Sequence, residues 1–119
     1  MGTPSHTVLV VDDDASIRLL CRVNLELEGW AVREAGSVAH AREALADGTV
    51  GVVLLDAYLG EDDGVAFLAD IRRDHPGTKV AMLTGAADVQ ALEDAVPDGV
   101  IGKPFGLDEL TGTVHALAG

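Results

Sequence analysis

Apolar positions along the chain follow two alternating rhythms. Short apolar runs occur five times, three of them nearly all apolar: TVLVV (Thr7–Val11), WAVREA (Trp30–Ala35), VGVVLL (Val50–Leu55), KVAML (Lys79–Leu83) and GVI (Gly99–Ile101). Strand side chains point alternately to opposite faces, so an unbroken short apolar run predicts a strand covered on both faces. WAVREA carries Arg33 and Glu34 and reads as an edge strand.

Between the runs the spacing lengthens to the helical period. Ile17, Leu20, Val23 and Leu27 mark a first helix ended by Gly29, and Asp14 is its expected N-cap. Val38, Ala41 and Leu45 mark a second, with Ser37 as N-cap and Gly48 as its stop. Val65, Leu68 and Ile71 give a third, closed by His75-Pro76-Gly77. Val89, Leu92 and Val96 give a short fourth stopped by Pro97, and Leu107, Leu110, Val114 and Leu117 give a fifth.

Five strand–helix repeats imply right-handed crossovers and one α/β domain. The expected architecture is a doubly wound, flavodoxin-like (βα)5 fold, a five-stranded parallel sheet in the order 2-1-3-4-5 with helices on both faces. A single domain is expected over residues 1–119, with its core at about Thr7 to about Ala118.

In such sheets ligands bind beyond the carboxyl ends of the strands, where the order reverses, here between strands 1 and 3. Strand 1 runs into Asp12 and Asp13, strand 3 into Asp56, strand 4 into Thr84 and strand 5 into Lys103. Five polar side chains from four strand ends are thus predicted on one rim.

Composition narrows the chemistry. The formal net charge is −12, which leaves no basic face for nucleic acid or an anionic membrane and suits a basic partner or divalent cations. Aromatic residues make up 3% of the chain, so the core must be aliphatic. The single cysteine, Cys21, excludes an internal disulfide and fits a reducing, cytoplasmic setting. The N-terminus lacks a signal-peptide layout, and no apolar run reaches membrane-spanning length.

Carboxylates about 4 Å apart repel by roughly 4 kcal/mol per pair at an effective dielectric near 20. A hard divalent cation relieves this, and Mg²⁺ is held by one or two such groups together with waters and a phosphate. With Lys103 as a compact cation and Thr84 as a hydroxyl donor, the rim has what phosphoryl transfer onto Asp56 needs.

Four segments then carry a resemblance: VVDDD, LLDAYL followed by DDG, MLTG and GKPF, in that order on the expected strand ends. Over essentially its whole length the chain resembles the receiver domain of bacterial response regulators. The resemblance implies a regulatory domain, an enzyme only toward its own phosphorylation and dephosphorylation, taking phosphate from a histidine kinase or phosphotransfer protein. It implies Asp56 as phosphoacceptor. Mg²⁺ or Mn²⁺ would be held by Asp12, Asp13, Asp56 and the Tyr58 backbone carbonyl, and Thr84 and Lys103 would meet the phosphoryl group. It also implies a cis Lys103–Pro104 peptide, an output domain or downstream protein as reader, and a monomer or weak homodimer. Met1 and the end of the chain after the fifth helix favour a stand-alone receiver over a piece of a longer regulator.

Several positions depart from the family pattern. Val100 stands where a Tyr or Phe is usual, so the aromatic arm of the switch is missing. The stretch from Thr84 to Lys103 is about three residues short, trimming the fourth helix. Gly60 replaces a common proline and is expected to loosen its loop. Ala86 and Tyr58 are expected to set water access to the acyl phosphate. Asp62, Asp63 and Gly64 are expected to shape the turn into the third helix. The four histidines (His6, His40, His75, His115) lack ligand spacing, and Cys21 reads as a core residue. Arg18 and Arg22 form a basic stripe, either solvated or contacting the phosphodonor.

Two other functions compete. A phosphorylation-independent binding module keeps only the fold. A haloacid dehalogenase-type phosphatase shares Asp12-x-Asp14 after a strand, but Ala15 and Ser16 follow here and 119 residues leave little room for a cap.

Overall fold

The computed structural model describes residues 7–85 and 96–118. Its strands are β1 (Thr7–Val11), β2 (Ala31–Ala35), β3 (Val50–Asp56), β4 (Lys79–Gly85) and β5 (Gly99–Lys103). The helices are α1 (Ala15–Leu27), α2 (Val38–Leu45), α3 (Gly64–Asp74) and α4 (Leu107–Ala118). Val89 and Leu92 of the fourth helical pattern, and Ala86, lie outside the described residues.

The five strands form one parallel sheet in the order β2-β1-β3-β4-β5, as the alternation predicts. The pleat explains the unbroken apolar runs. Val8 and Val10 of β1 and Val52 and Leu54 of β3 pack with Cys21 and Leu25 of α1 and Leu110 and Val114 of α4. Leu9, Val11, Val53 and Leu55 point the other way, onto Ala41 and Leu45 of α2 and Phe67, Leu68 and Ile71 of α3. Each β1 residue from Val8 to Val11 is fully buried, so register is held from both sides.

The expected caps are in place. Asp14 accepts from the Ser16 backbone N–H, Ser37 from that of His40, and Gly29 and Gly48 take positive φ beyond their helices. Among the described residues no helix is long and apolar enough to cross a membrane.

The face of α1 differs from the expected one. Of the four marker residues only Ile17 packs on the core; Leu20, Val23 and Leu27 are 41%, 47% and 81% exposed. The core is met by Ile17, Cys21 and Leu25 at i, i+4 and i+8. Both sets fit a helical period, and α1 is apolar on two opposite sides. The spacing of Leu20, Val23 and Leu27 thus located the helix but pointed to the wrong face. Cys21 is fully buried as expected. Burial, reinforced by the charge of Asp12, pushes its thiol up to about 11.

Candidate functional site

β1 delivers Asp12 and Asp13 to the carboxyl edge of the sheet, and its neighbour β3 ends on Asp56. Asp12 is fully buried, Asp56 nearly so, and Asp13 is exposed. One carboxylate oxygen from each lies within 4.8 Å of the other two, and this is the group of potential metal ligands found among the described residues. Three acidic oxygens at that spacing match the donor set of a hard divalent cation.

Lys103 enters from the end of β5, on the far side of β4. Its Nζ donates to Asp12 Oδ2 at 3.0 Å and to Asp56 Oδ2 at 3.1 Å. The remaining oxygens are held by backbone: the Asp14 N–H donates to Asp12 Oδ1 at 2.9 Å and the Tyr58 N–H to Asp56 Oδ1 at 3.1 Å. No buried side-chain polar atom among the described residues lacks a partner. Two buried like charges are therefore tolerated because one cation bridges them and the main chain satisfies the rest.

Burial raises the Asp56 pKa above the ordinary carboxylate range, and the negative charge of Asp12 adds to this; the Tyr58 N–H and Lys103 oppose it. Burial works against the charged form of Lys103, but hydrogen bonds and charge from Asp12 and then Asp56 outweigh it and hold its pKa above the usual value.

Thr84 is buried near the end of β4, paired in register with Gly102, one residue before Lys103. Its hydroxyl donates to the Gly85 carbonyl at 3.1 Å. The Lys103–Pro104 peptide is cis, as the resemblance implied. Val100 lies two strands away from β3, in register with Met82, and is 43% exposed.

The segment after Asp56 holds a feature absent from the sequence reading. Tyr58–Leu59 and Asp62–Asp63 form a two-residue antiparallel hairpin, Tyr58 opposite Asp63 and Leu59 opposite Asp62. Gly60 takes φ +65° at its turn, so the glycine expected to loosen this loop has a defined conformational role. A Cβ on Gly60 would stand 3.8 Å from Asp13 Oδ2, which places the hairpin turn beside the acidic cluster. Asp63 caps α3 by accepting from Val65 and Ala66, as expected of a turn-shaping residue, while Asp62 reaches across to the Val38 N–H of α2. Nothing in the local sequence signals this link, which joins residues 24 apart.

Of the Arg18–Arg22 stripe, Arg22 is exposed, as the solvated reading expects, while Arg18 is half-buried. Arg18 donates to the Asp12 carbonyl at 2.6 Å and pairs with Glu34 at 3.2 Å, and Arg22 pairs with Glu34 at 3.0 Å. Both pair with Glu34 of β2, and Arg18 also holds the backbone that carries Asp12.

The family described as "Response regulator receiver domain" matches residues 8–115. The chain is 33% identical over 118 residues to the sensor kinase CckA of Brucella abortus (strain 2308), covering 95% of this chain and 12% of that protein. It is 32% identical over 117 residues to the transcriptional regulatory protein SrrA of Staphylococcus aureus (strain NCTC 8325 / PS 47), covering 95% of this chain and 48% of that one. It thus spans half or less of these curated relatives. Among solved structures, the receiver domain of NtrX from Brucella abortus superposes with a TM-score of 0.87 at 31% identity, covering 93% of this chain and 97% of that one. The beryllofluoride-activated NtrC4 receiver domain dimer gives 0.86 at 29% identity, covering 94% and 95%. With the fold, the acidic rim and these matches in agreement, the chain belongs to the response regulator receiver domain family.

Proposed function

We propose that this chain is an active phosphoacceptor receiver in which Asp56 takes a phosphoryl group from a histidine kinase or phosphotransfer protein. The observation that carries the reading is the double bridge from Lys103 Nζ to Asp12 and Asp56, which places a cation beside the acceptor carboxylate. Asp12, Asp13, Asp56 and the Tyr58 carbonyl would hold Mg²⁺ or Mn²⁺, which when bound neutralises charge on the phosphoryl oxygens. An Asp56 carboxylate oxygen attacks phosphorus in line. The phosphorus–nitrogen bond breaks, and its electron pair stays on the donor imidazole. Lys103 pairs with a phosphoryl oxygen and the Thr84 hydroxyl donates to another.

Intact mass after incubation with Mg²⁺ and a small acyl phosphate tests this directly. A Mg²⁺-dependent phosphoryl adduct on the parent, absent from Asp56→Asn, is the expected result. No adduct under any metal condition would favour the phosphorylation-independent binding module, and multiple turnover of a phosphate ester would favour the phosphatase.

The donor docks on the outward face of α1. Leu19, Leu20, Val23 and Leu27, between 41% and 81% exposed, form one apolar stripe opposite the core face. The helix begins one residue beyond Asp14, so the stripe flanks the rim that a donor histidine must reach. In a chain of net charge −12 this neutral stripe suits an apolar helical surface with a basic border. Leu20→Lys with Val23→Lys is expected to slow transfer from a phosphohistidine protein at least tenfold while sparing the small acyl phosphate; equal loss with both donors would remove α1 from the interface.

A further inference from the structure

Asp62 is the acidic residue near the site with the least obvious use. It lies in the hairpin after Asp56, is exposed, and does not cap α3, a task Asp63 performs. Its Oδ2 accepts from the Val38 backbone N–H at 3.1 Å, 24 residues away in sequence. Val38 is the first residue of α2, and its amide is one that Ser37 does not serve, since the Ser37 hydroxyl accepts from His40. A carboxylate there also meets the positive end of the helix dipole.

The other end of this contact is the reacting group. Asp56 Oδ1 accepts from the Tyr58 N–H; Tyr58 and Leu59 pair with Asp63 and Asp62; the returning chain closes with the Gly64 N–H on the Ala57 carbonyl at 3.1 Å. The hairpin is held at its base by Asp56 and Ala57 and at its outer strand by α2. Beyond Val38, α2 packs through Ala41 and Leu45 on the cluster that includes Leu59 and Phe67. Arg42 of α2 also lies over the Phe67 ring and pairs with Asp70 of α3. The Tyr58 N–H on Asp56, the hairpin pairing and the Asp62 side chain thus form one continuous line of contacts from the Asp56 carboxylate to α2.

We propose that Asp62 is a positioning residue: it clamps the Tyr58–Asp63 hairpin to the N-terminus of α2, fixing the Tyr58 carbonyl for the cation and coupling the state of the Asp56 site to α2. The proposal rests on the reading of Asp56 and Tyr58 given above. It supplies a route for the signal that does not pass through position 100, where this chain has valine.

The test uses residue-resolved amide exchange of Val38 without metal, with Mg²⁺ alone, and with Mg²⁺ plus beryllofluoride, alongside the Mg²⁺ Kd. The parent is expected to slow Val38 exchange about fivefold on loading the site. Asp62→Ala should abolish that response and raise the Mg²⁺ Kd about tenfold. Asp62→Asn keeps an oxygen acceptor and should restore most of both. Exchange of Leu110, whose N–H donates to the Gly106 carbonyl at the start of α4, is a reference remote from the clamp and should not follow the same pattern. An Asp62→Ala protein that keeps the parent's Mg²⁺ Kd and Val38 response would reduce Asp62 to a local helix cap and overturn the proposal. Failure of the underlying reading shows separately, as a parent protein that forms no phosphoryl adduct. The Mg²⁺-only comparison still decides the clamp, because it needs no phosphorylation.

Discussion

Lys103→Met is expected to lower the Tm by roughly 10 °C in metal-free buffer at neutral pH, and Mg²⁺ should recover a larger share of stability in the variant than in the parent. The Lys103 ammonium is the cation shared by the buried carboxylates Asp12 and Asp56. Removing one partner of a buried ion pair leaves uncompensated charge and costs about 3–5 kcal/mol. Lys103 retains 28% side-chain exposure and water moderates the loss, so about 2–3 kcal/mol is the appropriate scale. A divalent cation placed among the same oxygens replaces the missing charge, which predicts the larger Mg²⁺ response.

The pH dependence has a definite sign. Burial, aided by Asp12, already holds the Asp56 pKa above its ordinary value, and Lys103 opposes that rise. Without Lys103 the pKa climbs further. A carboxyl whose pKa is higher folded than unfolded favours the folded state below its unfolded pKa and loses that contribution as pH rises through the folded value. The deficit of Lys103→Met should therefore be small at acid pH and grow as pH rises through the carboxylate range towards neutrality. Thermal melts from pH 4 to 8 with a chelator decide it; identical curves for variant and parent would mean that Lys103 contributes nothing to holding the cluster.

Gly64→Ala should be strongly damaging for a change of a single methyl group. By propensity alone it should help, since alanine is about 1 kcal/mol better than glycine within a helix and Gly64 opens α3. The structure predicts the reverse. A Cβ at Gly64 would lie 2.1 Å from the Asp56 carbonyl oxygen and 2.9 Å from that of Ala57, both backbone atoms that no rotamer change can move aside. Overpacking of this kind costs about 3 kcal/mol or more, and relief can come only by displacing the acceptor's own main chain. The expected outcome is a Tm lower by roughly 10 °C or more together with loss of phosphoryl uptake on Asp56. Gly77→Ala is the control: its added methyl meets nothing within 4 Å and should leave both quantities unchanged. A Gly64→Ala protein as stable and as reactive as the parent would mean that the loop relaxes without involving Asp56.

Positions read directly from the sequence share a feature: their roles follow from neighbours in the chain or from the end of a strand. Asp14 and Ser37 cap the helices they precede, and Gly29 and Gly48 stop the helices they follow. The unbroken apolar run into Asp56 required a strand covered on both faces, and its end put the carboxylate on the rim. Where two patterns were equally periodic the sequence was ambiguous, as on α1. Leu20, Val23 and Leu27 repeat as well as Ile17, Cys21 and Leu25, and only the seat against β1, β3 and α4 selects the second set.

By itself, then, the sequence determined the strand–helix alternation and put Asp12, Asp13, Asp56, Thr84 and Lys103 at the carboxyl ends of strands; with the common order for five such units, that brings them to one edge. Tertiary structure alone decided which side of α1 meets solvent, that Arg18 holds the Asp12 carbonyl, that Gly64 lies against the Asp56 backbone and that Asp62 reaches Val38. Each of these joins residues from different elements, through contacts set by how helices and loops settle on the finished sheet. Local periodicity carries no information about such distances, and packing supplies it.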